Sequence, residues 1–203
     1  MKDRLADGHI GEHDWHSREY VDQWIERDVT RDDERRPVLR EMLAIAPFPP
    51  EERIKVLDIG AGYGVLSEEV LKAFPRAQLT LLDYSEPMSD HARRRLAGRA
   101  VSYLMLDLSD PGWSAKVGGP FELAVSGLAV HNLEGESLVK ACYRSICRSL
   151  RPGGLFLDYD LFGLVSGGVA THMNWLREAG FEKTERTWEQ GPVAIVAAWT
   201  PSR

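Results

Sequence analysis

Asp58 and the glycines at positions 60, 62 and 64 are the residues of this chain whose types and spacing are best suited to chemistry. A short apolar run ends in the acid, the glycines alternate with Ala61 and Tyr63, and a helical pattern runs from Val65 to Phe74. Glycine has no side chain, so a ligand can lie directly against such a turn. A turn that cradles pyrophosphate offers backbone N–H groups to an anion. A carboxylate at Asp58 would repel that anion, so the pattern suits a ligand with cationic groups and no phosphate. Asp83 lies 23 residues after Gly60 at the end of a second apolar run. That spacing lets an acid reach ribose hydroxyls, whose protons a carboxylate accepts. Asp107 closes a third run, and His131 follows a fourth. Imidazole is suited to proton removal near neutral pH, which makes His131 the candidate base.

These residues require a scaffold of alternating strands and helices. Strands are predicted near 54–58, 78–83, 101–106, 121–126 and 155–160, with helices near 64–74, 86–98 and 134–150. This order demands a parallel sheet with right-handed crossovers. The link from Asp107 to Pro120 is short and glycine-rich, so its crossover should be reduced. A helix near 169–179 ends at Gly180. Two strands, from Phe181 to Glu189 and from Val193 to Thr200, then flank Gln190-Gly191-Pro192. So short a turn makes them antiparallel. Ahead of the first strand, Tyr20, Val21, Trp24 and Ile25 give a helical face over 17–29. Thr30 with Asp33 has the form of a capping box, and Pro37 fits the first turn of the next helix.

The segment Asp58-Ile59-Gly60-Ala61-Gly62-Tyr63-Gly64 resembles the glycine-rich first motif of class I S-adenosylmethionine-dependent methyltransferases. Three further segments match in order: Leu79 to Asp83, Tyr103 to Leu108, and Leu150-Arg151-Pro152-Gly153-Gly154-Leu155-Phe156. The resemblance covers about residues 53 to 200. It implies an α/β Rossmann-like fold: a seven-stranded, mostly parallel sheet with an antiparallel C-terminal β-hairpin and helices on both faces. It implies S-adenosylmethionine as cofactor. Asp58 would help hold its methionine ammonium, with Gly60, Ala61, Gly62 and Gly64 forming the cradle. Asp83 would take the ribose, Asp107 and Leu108 would read the adenine edge, and Tyr84 and Met88 would border it. Ser126 begins the segment that would line the methionine and donor methyl. The chain is expected to form one domain, 1–203, with an N-terminal helical lid (1–50) on a core (53–200). Tyr20, Trp24, His131 and His172 are the candidate acceptor-pocket residues.

At 203 residues the chain has the length of one domain with a sizeable core. No apolar run approaches the ~20 residues of a membrane span, and the first residues lack an apolar leader core. Cys142 and Cys147, five apart on one predicted helix, face different ways. They form neither a disulfide nor a metal pair, as expected of a cytoplasmic protein. Residues 1–52 hold 8 basic and 14 acidic side chains, whereas residues 53–203 hold 17 of each. So acidic an entrance is a poor surface for nucleic acid. His9, His13 and His16, beside Glu12 and Asp14, read as a solvated tail rather than a metal site. The expected partner is a small-molecule acceptor, with no nucleic acid, membrane or metal, for a monomer or homodimer.

Two other functions are weighed. A NAD(P)-dependent oxidoreductase would need a third glycine where Val65 stands, and no Tyr-x-x-x-Lys pair follows. A non-catalytic cofactor-binding partner subunit would have no use for acceptor chemistry, but would share the acids at 58, 83 and 107.

Overall fold

The computed structural model describes residues 13–163 and 167–202. Helices α1 (Arg18–Asp28) and α2 (Asp32–Leu43) precede the sheet. Then follow β1 (Lys55–Ile59), α3 (Val65–Ala73), β2 (Gln78–Asp83), α4 (Glu86–Arg95), β3 (Val101–Met105) and β4 (Phe121–Gly127). The chain closes with α5 (Glu136–Ser149), β5 (Leu150–Asp160), α6 (Gly168–Glu178), β6 (Lys183–Gln190) and β7 (Val193–Trp199).

The seven strands lie in the order β3-β2-β1-β4-β5-β7-β6. The first five are parallel, whereas β7 runs antiparallel to both β5 and β6. Side chains alternate between faces along a strand, so each strand feeds two cores. Val56, Leu79, Leu81, Leu123, Val125, Leu155 and Leu157 pack on one face with residues of α1 to α4. Leu57, Ile59, Leu82, Ala124 and Phe156 pack on the other with α5 and α6. Burial on both faces explains why the central strands read as unbroken apolar runs. Strand order reverses between β1 and β4, and a ligand crevice opens at such a switch point, beyond the carboxyl ends of the strands.

Local chemistry sets the element ends. Ser17 and Ser85 cap α1 and α4, each accepting from the backbone N–H three residues on. Arg93, Arg94 and Arg95 favour the negative end of α4. The reduced crossover is a single 3₁₀ turn at Trp113–Ala115, anchored by the fully buried Trp113.

Three local expectations are corrected. Thr30 caps no helix: it sits in a 3₁₀ turn, Val29–Arg31, and its hydroxyl donates to the Arg27 carbonyl. That turn runs directly into α2, so Pro37 falls inside the helix rather than in its first turn. The break is tolerated because Pro37 and Asp33, whose carbonyl loses its partner, both face solvent. The strand expected from residue 155 starts at Leu150, pairing with Phe121 before a register shift at Leu123.

Candidate active site

A cavity of about 730 Å³ lies over the switch point between β1 and β4. It brings together Asp58, Gly60, Ala61, Gly62, Asp83, Tyr84, Met88, Asp107, Leu108 and His131 from the sequence-derived set, with Trp24 from the N-terminal helix. The three acids arrive because β1, β2 and the segment after β3 all end at the same edge of a parallel sheet.

The glycines divide the work of the turn. A Cβ at Gly60 would lie 2.3 Å from the Ala129 Cβ, so this residue lets the turn pack on the loop after β4. Gly64 meets Ala92 of α4 in the same way and does not line the cavity. Nothing lies within 4 Å of a Cβ at Gly62, so that position faces open space in the cavity.

Asp58 is buried, and its Oδ2 accepts from Ser67 Oγ at 2.5 Å. Its Oδ1 is buried with no hydrogen-bond partner among the described residues. Burial, reinforced by the nearby Asp83 charge and opposed by Ser67, pushes the Asp58 carboxyl up to about 7. An unsatisfied buried acceptor of this kind fits a cationic group. Asp83 Oδ2 accepts from the Gly62 N–H at 2.7 Å and Oδ1 from the Ser85 N–H at 2.8 Å. Each oxygen keeps a lone pair for a ligand hydroxyl. Asp107, more exposed, accepts from the Ser109 N–H at 2.8 Å beside Leu108. Met88 is core and cavity wall at once.

His131 reaches the cavity from the turn after β4. Its Nδ1 lies 2.5 Å from Asp160 Oδ1, and its backbone N–H donates to Asp160 Oδ2 at 3.0 Å. Burial lowers the imidazole pKa, but the Asp160 charge and hydrogen bond outweigh it and leave a net rise. Leu128, three residues before it, has a left-handed φ of 54°, an uncommon state for a bulky residue.

His13 and Trp15 are partly buried rather than part of a solvated tail, while Asp14 and His16 are exposed. His13 stacks on Trp15 at 4.8 Å and contacts the Tyr20 hydroxyl at 2.5 Å through Nδ1. Trp15 meets Trp24 edge-on and receives the Ser85 hydroxyl on its carbonyl. His9 and Glu12 lie outside the described residues. A salt bridge from Arg18 to Asp90 and a hydrogen bond between His91 and Asp22 tie α1 to α4. Tyr63, in the glycine turn, contacts Asp28 and Asp32 through its hydroxyl. Arg35 grips Asp28 with two bonds and is, among the described residues, the one permanently charged cation lining the cavity.

Besides Gly64, three expected positions differ. Tyr20, on α1, packs against His13 and Trp15 and does not line the cavity. Ser126 points to the α5 face, because alternation places it beside Asp158, its register partner, while Gly127 and Leu128 line the cavity. His172 is buried between α5 and α6, bonded to the Tyr143 hydroxyl at 2.8 Å and packed on Trp175. It lies outside the cavity because α6 covers the opposite face of the sheet. His13, Trp15, Arg35, Tyr159 and Asp160 had no motif to announce them. Only the i, i+4 spacing of Arg35 and Leu39 puts the arginine on an inner helical face.

Residues 56–154 match the family model described as a methyltransferase domain. The chain is 32% identical over 143 residues to a trans-aconitate 2-methyltransferase of Acidovorax sp., covering 70% of this chain and 48% of that one. It is 33% identical over 114 residues to ribosomal RNA small subunit methyltransferase C of Salmonella arizonae, covering 55% and 32%. It thus spans half or less of the length of these curated relatives. Among solved structures, N-methyltransferase NodS from Bradyrhizobium japonicum with S-adenosyl-L-homocysteine superposes with a TM-score of 0.67. That likeness has 19% identity and covers 89% of this chain and 98% of that one. The fold, the acid-and-glycine turn and the family match place the chain among the class I S-adenosylmethionine-dependent methyltransferases. Their cofactor is S-adenosylmethionine, and the orphaned Asp58 oxygen and open Gly62 face fit its ammonium and its bulk.

Cofactor affinity should therefore depend on pH. A cation favours ionised Asp58, and the carboxyl titrates at about 7 without one. Below that value a proton must be lost on binding, so affinity should fall roughly tenfold between pH 8 and pH 6. Calorimetry with S-adenosylhomocysteine in buffers of different ionisation enthalpy measures this. Equal affinity at both values, with no proton release, would remove Asp58 from the ammonium site.

Proposed function

We propose that the protein transfers a methyl group from S-adenosylmethionine to a small-molecule acceptor in the cytoplasm. The cofactor, when bound, supplies an electrophilic methyl on a sulfonium. In this reading Asp58 holds its ammonium, Gly60 to Gly62 face its backbone, and Asp83 takes the ribose hydroxyls. Asp107 and Leu108 meet the adenine, bordered by Tyr84 and Met88. His131 stands opposite as the group that takes a proton from the acceptor. The protein's remaining task is alignment and exclusion of water.

The observation that carries this reading is one shared cavity. The acids at three strand ends, the glycine turn and His131 all line it, and the same wall carries Trp15 and Trp24 of the lid. The tryptophans support a compact acceptor. The acidic first 52 residues oppose the basic surface that an RNA acceptor requires. The trans-aconitate relative acts, by its name, on a small molecule, whereas the ribosomal RNA relative does not. Free Cys142 and Cys147, with thiols held up chiefly by burial, accord with a reducing compartment. No helix among the described residues is long and apolar enough to cross a membrane. The oxidoreductase and partner-subunit alternatives find no support in the family match.

The test is a methyl-transfer screen with labelled cofactor against metabolite and ribosomal RNA panels. Label in a metabolite fraction is the expected result, and label in RNA alone would overturn the small-molecule assignment. With the acceptor so found, Trp24→Ala should lower kcat/KM roughly ten- to a hundredfold by loosening alignment. Trp24 contacts Trp15 and Tyr63, which join lid to glycine turn. Unchanged turnover would deny the lid a role.

A further inference from the structure

Behind His131, β5 carries two buried acids on one face, Asp158 and Asp160, 0% and 2% exposed. Their surroundings differ sharply. Asp160 accepts from two backbone N–H groups, Leu161 at 2.8 Å on Oδ1 and His131 at 3.0 Å on Oδ2, and its Oδ1 lies 2.5 Å from His131 Nδ1. A group that accepts on both oxygens behaves as a carboxylate. Asp158 has no N–H donor: both of its oxygens are buried with no bond of full hydrogen-bonding geometry among the described residues, and the facing Ser126 hydroxyl is the polar group that favours its charged form. An anion there would be an uncompensated buried charge next to a second one. A like charge on the neighbouring acid of the same strand face disfavours ionisation of Asp158 further.

Building on the methyltransferase reading above, we propose that Asp160 is a positioning residue which fixes His131 as the tautomer able to take a proton from a hydroxyl acceptor, while Asp158 behind it stays uncharged. With Nδ1–H donated to Asp160, the proton-accepting nitrogen is Nε2, on the opposite edge of a ring that lines the cavity. In the step served, the hydroxyl proton passes to Nε2 as its oxygen bonds to the methyl. The sulfonium–methyl bond breaks, and its electron pair stays on sulfur. The acceptor class is thus an alcohol or phenol rather than a group that arrives ionised.

Burial, then the Asp160 charge, raise the Asp158 carboxyl well above the usual carboxylate range. The other titratable groups around this pair are Tyr159 on β5, Cys142 and Tyr143 on α5, Glu134 on the histidine's own loop, and His13 of the lid. Cys142 and Tyr143 are held protonated, chiefly by burial and then by the acids. His13 is pushed down by burial and by the His131 charge. Asp160 is the acid in direct contact with the ring through Nδ1, and its charge and hydrogen bond raise the imidazole.

The experiment is long-range proton–nitrogen NMR on the whole chain with ¹⁵N-labelled histidine, assigned with His131→Ala, across pH 5 to 9. Wild-type His131 should titrate above 6.5 and, once neutral, carry its proton on Nδ1. Asp160→Asn should lower that pKa by about one unit or more and shift the tautomer toward Nε2–H. It should also cut methyl transfer to hydroxyl acceptors roughly 10²-fold or more, with S-adenosylhomocysteine affinity retained. Asp158→Asn should leave tautomer and pKa as they are, since an amide replaces an already neutral acid. A wild-type Nε2–H tautomer, an unmoved titration in Asp160→Asn, or an equal shift in Asp158→Asn would each overturn the proposal. If Asp160→Asn does not fold, the wild-type tautomer and Asp158→Asn decide it. Failure of the wild type to bind S-adenosylhomocysteine would instead defeat the methyltransferase reading, and the NMR result stands apart from it.

Discussion

Gly62→Val should abolish binding of S-adenosylhomocysteine while leaving the protein folded. No atom lies within 4 Å of a Cβ at this position, and the residue lines the cavity. The added isopropyl group would thus enter ligand space rather than the core. Gly62 has φ of +52°, which an L side chain adopts at a cost of about 1–2 kcal/mol. That strain is less than the ~5–15 kcal/mol of a typical domain, so the variant should fold with a lowered melting temperature. Gly60→Val serves as the contrast: its Cβ would overlap Ala129, so the loss there should appear as a larger fall in melting temperature. Calorimetry and melting curves on both variants check the distinction. A folded Gly62→Val protein with normal affinity would mean that the glycine turn is not the cradle.

Asp83→Ala should weaken S-adenosylhomocysteine binding roughly ten- to a hundredfold, from a loss of ~1.5–3 kcal/mol in charge-assisted hydrogen bonds. The carboxylate has two jobs that add here. It offers lone pairs to the ribose, and through Gly62 and Ser85 it braces the turn that meets the ligand. Asp83→Asn keeps one carbonyl acceptor and should fall between the wild type and the alanine variant. An alanine variant within twofold of wild type would exclude Asp83 from the ribose site.

The sheet and its cofactor edge were legible because their signals are local and periodic. Apolar runs ending in Asp58, Asp83 and Asp107 fix strand ends, and a parallel sheet necessarily gathers those ends. The same reasoning could not separate the glycines. Whether a Cβ meets Ala129, Ala92 or open space depends on loops far apart in sequence. It also misjudged Ser126, since one residue along a strand exchanges the cavity for the α5 face. His172 failed as a pocket residue because no local pattern tells which side of the sheet a late helix will cover. Asp160 is the clearest loss. It reads as the last acid of an apolar strand, and only the fold sets it 2.5 Å from His131, 29 residues earlier. Pro37 shows the converse, a strong local signal overridden when a preceding turn extends the helix.

The central claim is that this cavity holds S-adenosylmethionine. Isothermal titration of the whole chain at pH 8 with S-adenosylmethionine, S-adenosylhomocysteine, NAD and NADP tests it most directly. The account predicts one site for each of the first two ligands, lost in Gly62→Val and weakened in Asp83→Ala, and no heat of binding from either nicotinamide cofactor. Binding of NAD or NADP, with none of S-adenosylmethionine or S-adenosylhomocysteine, would contradict it.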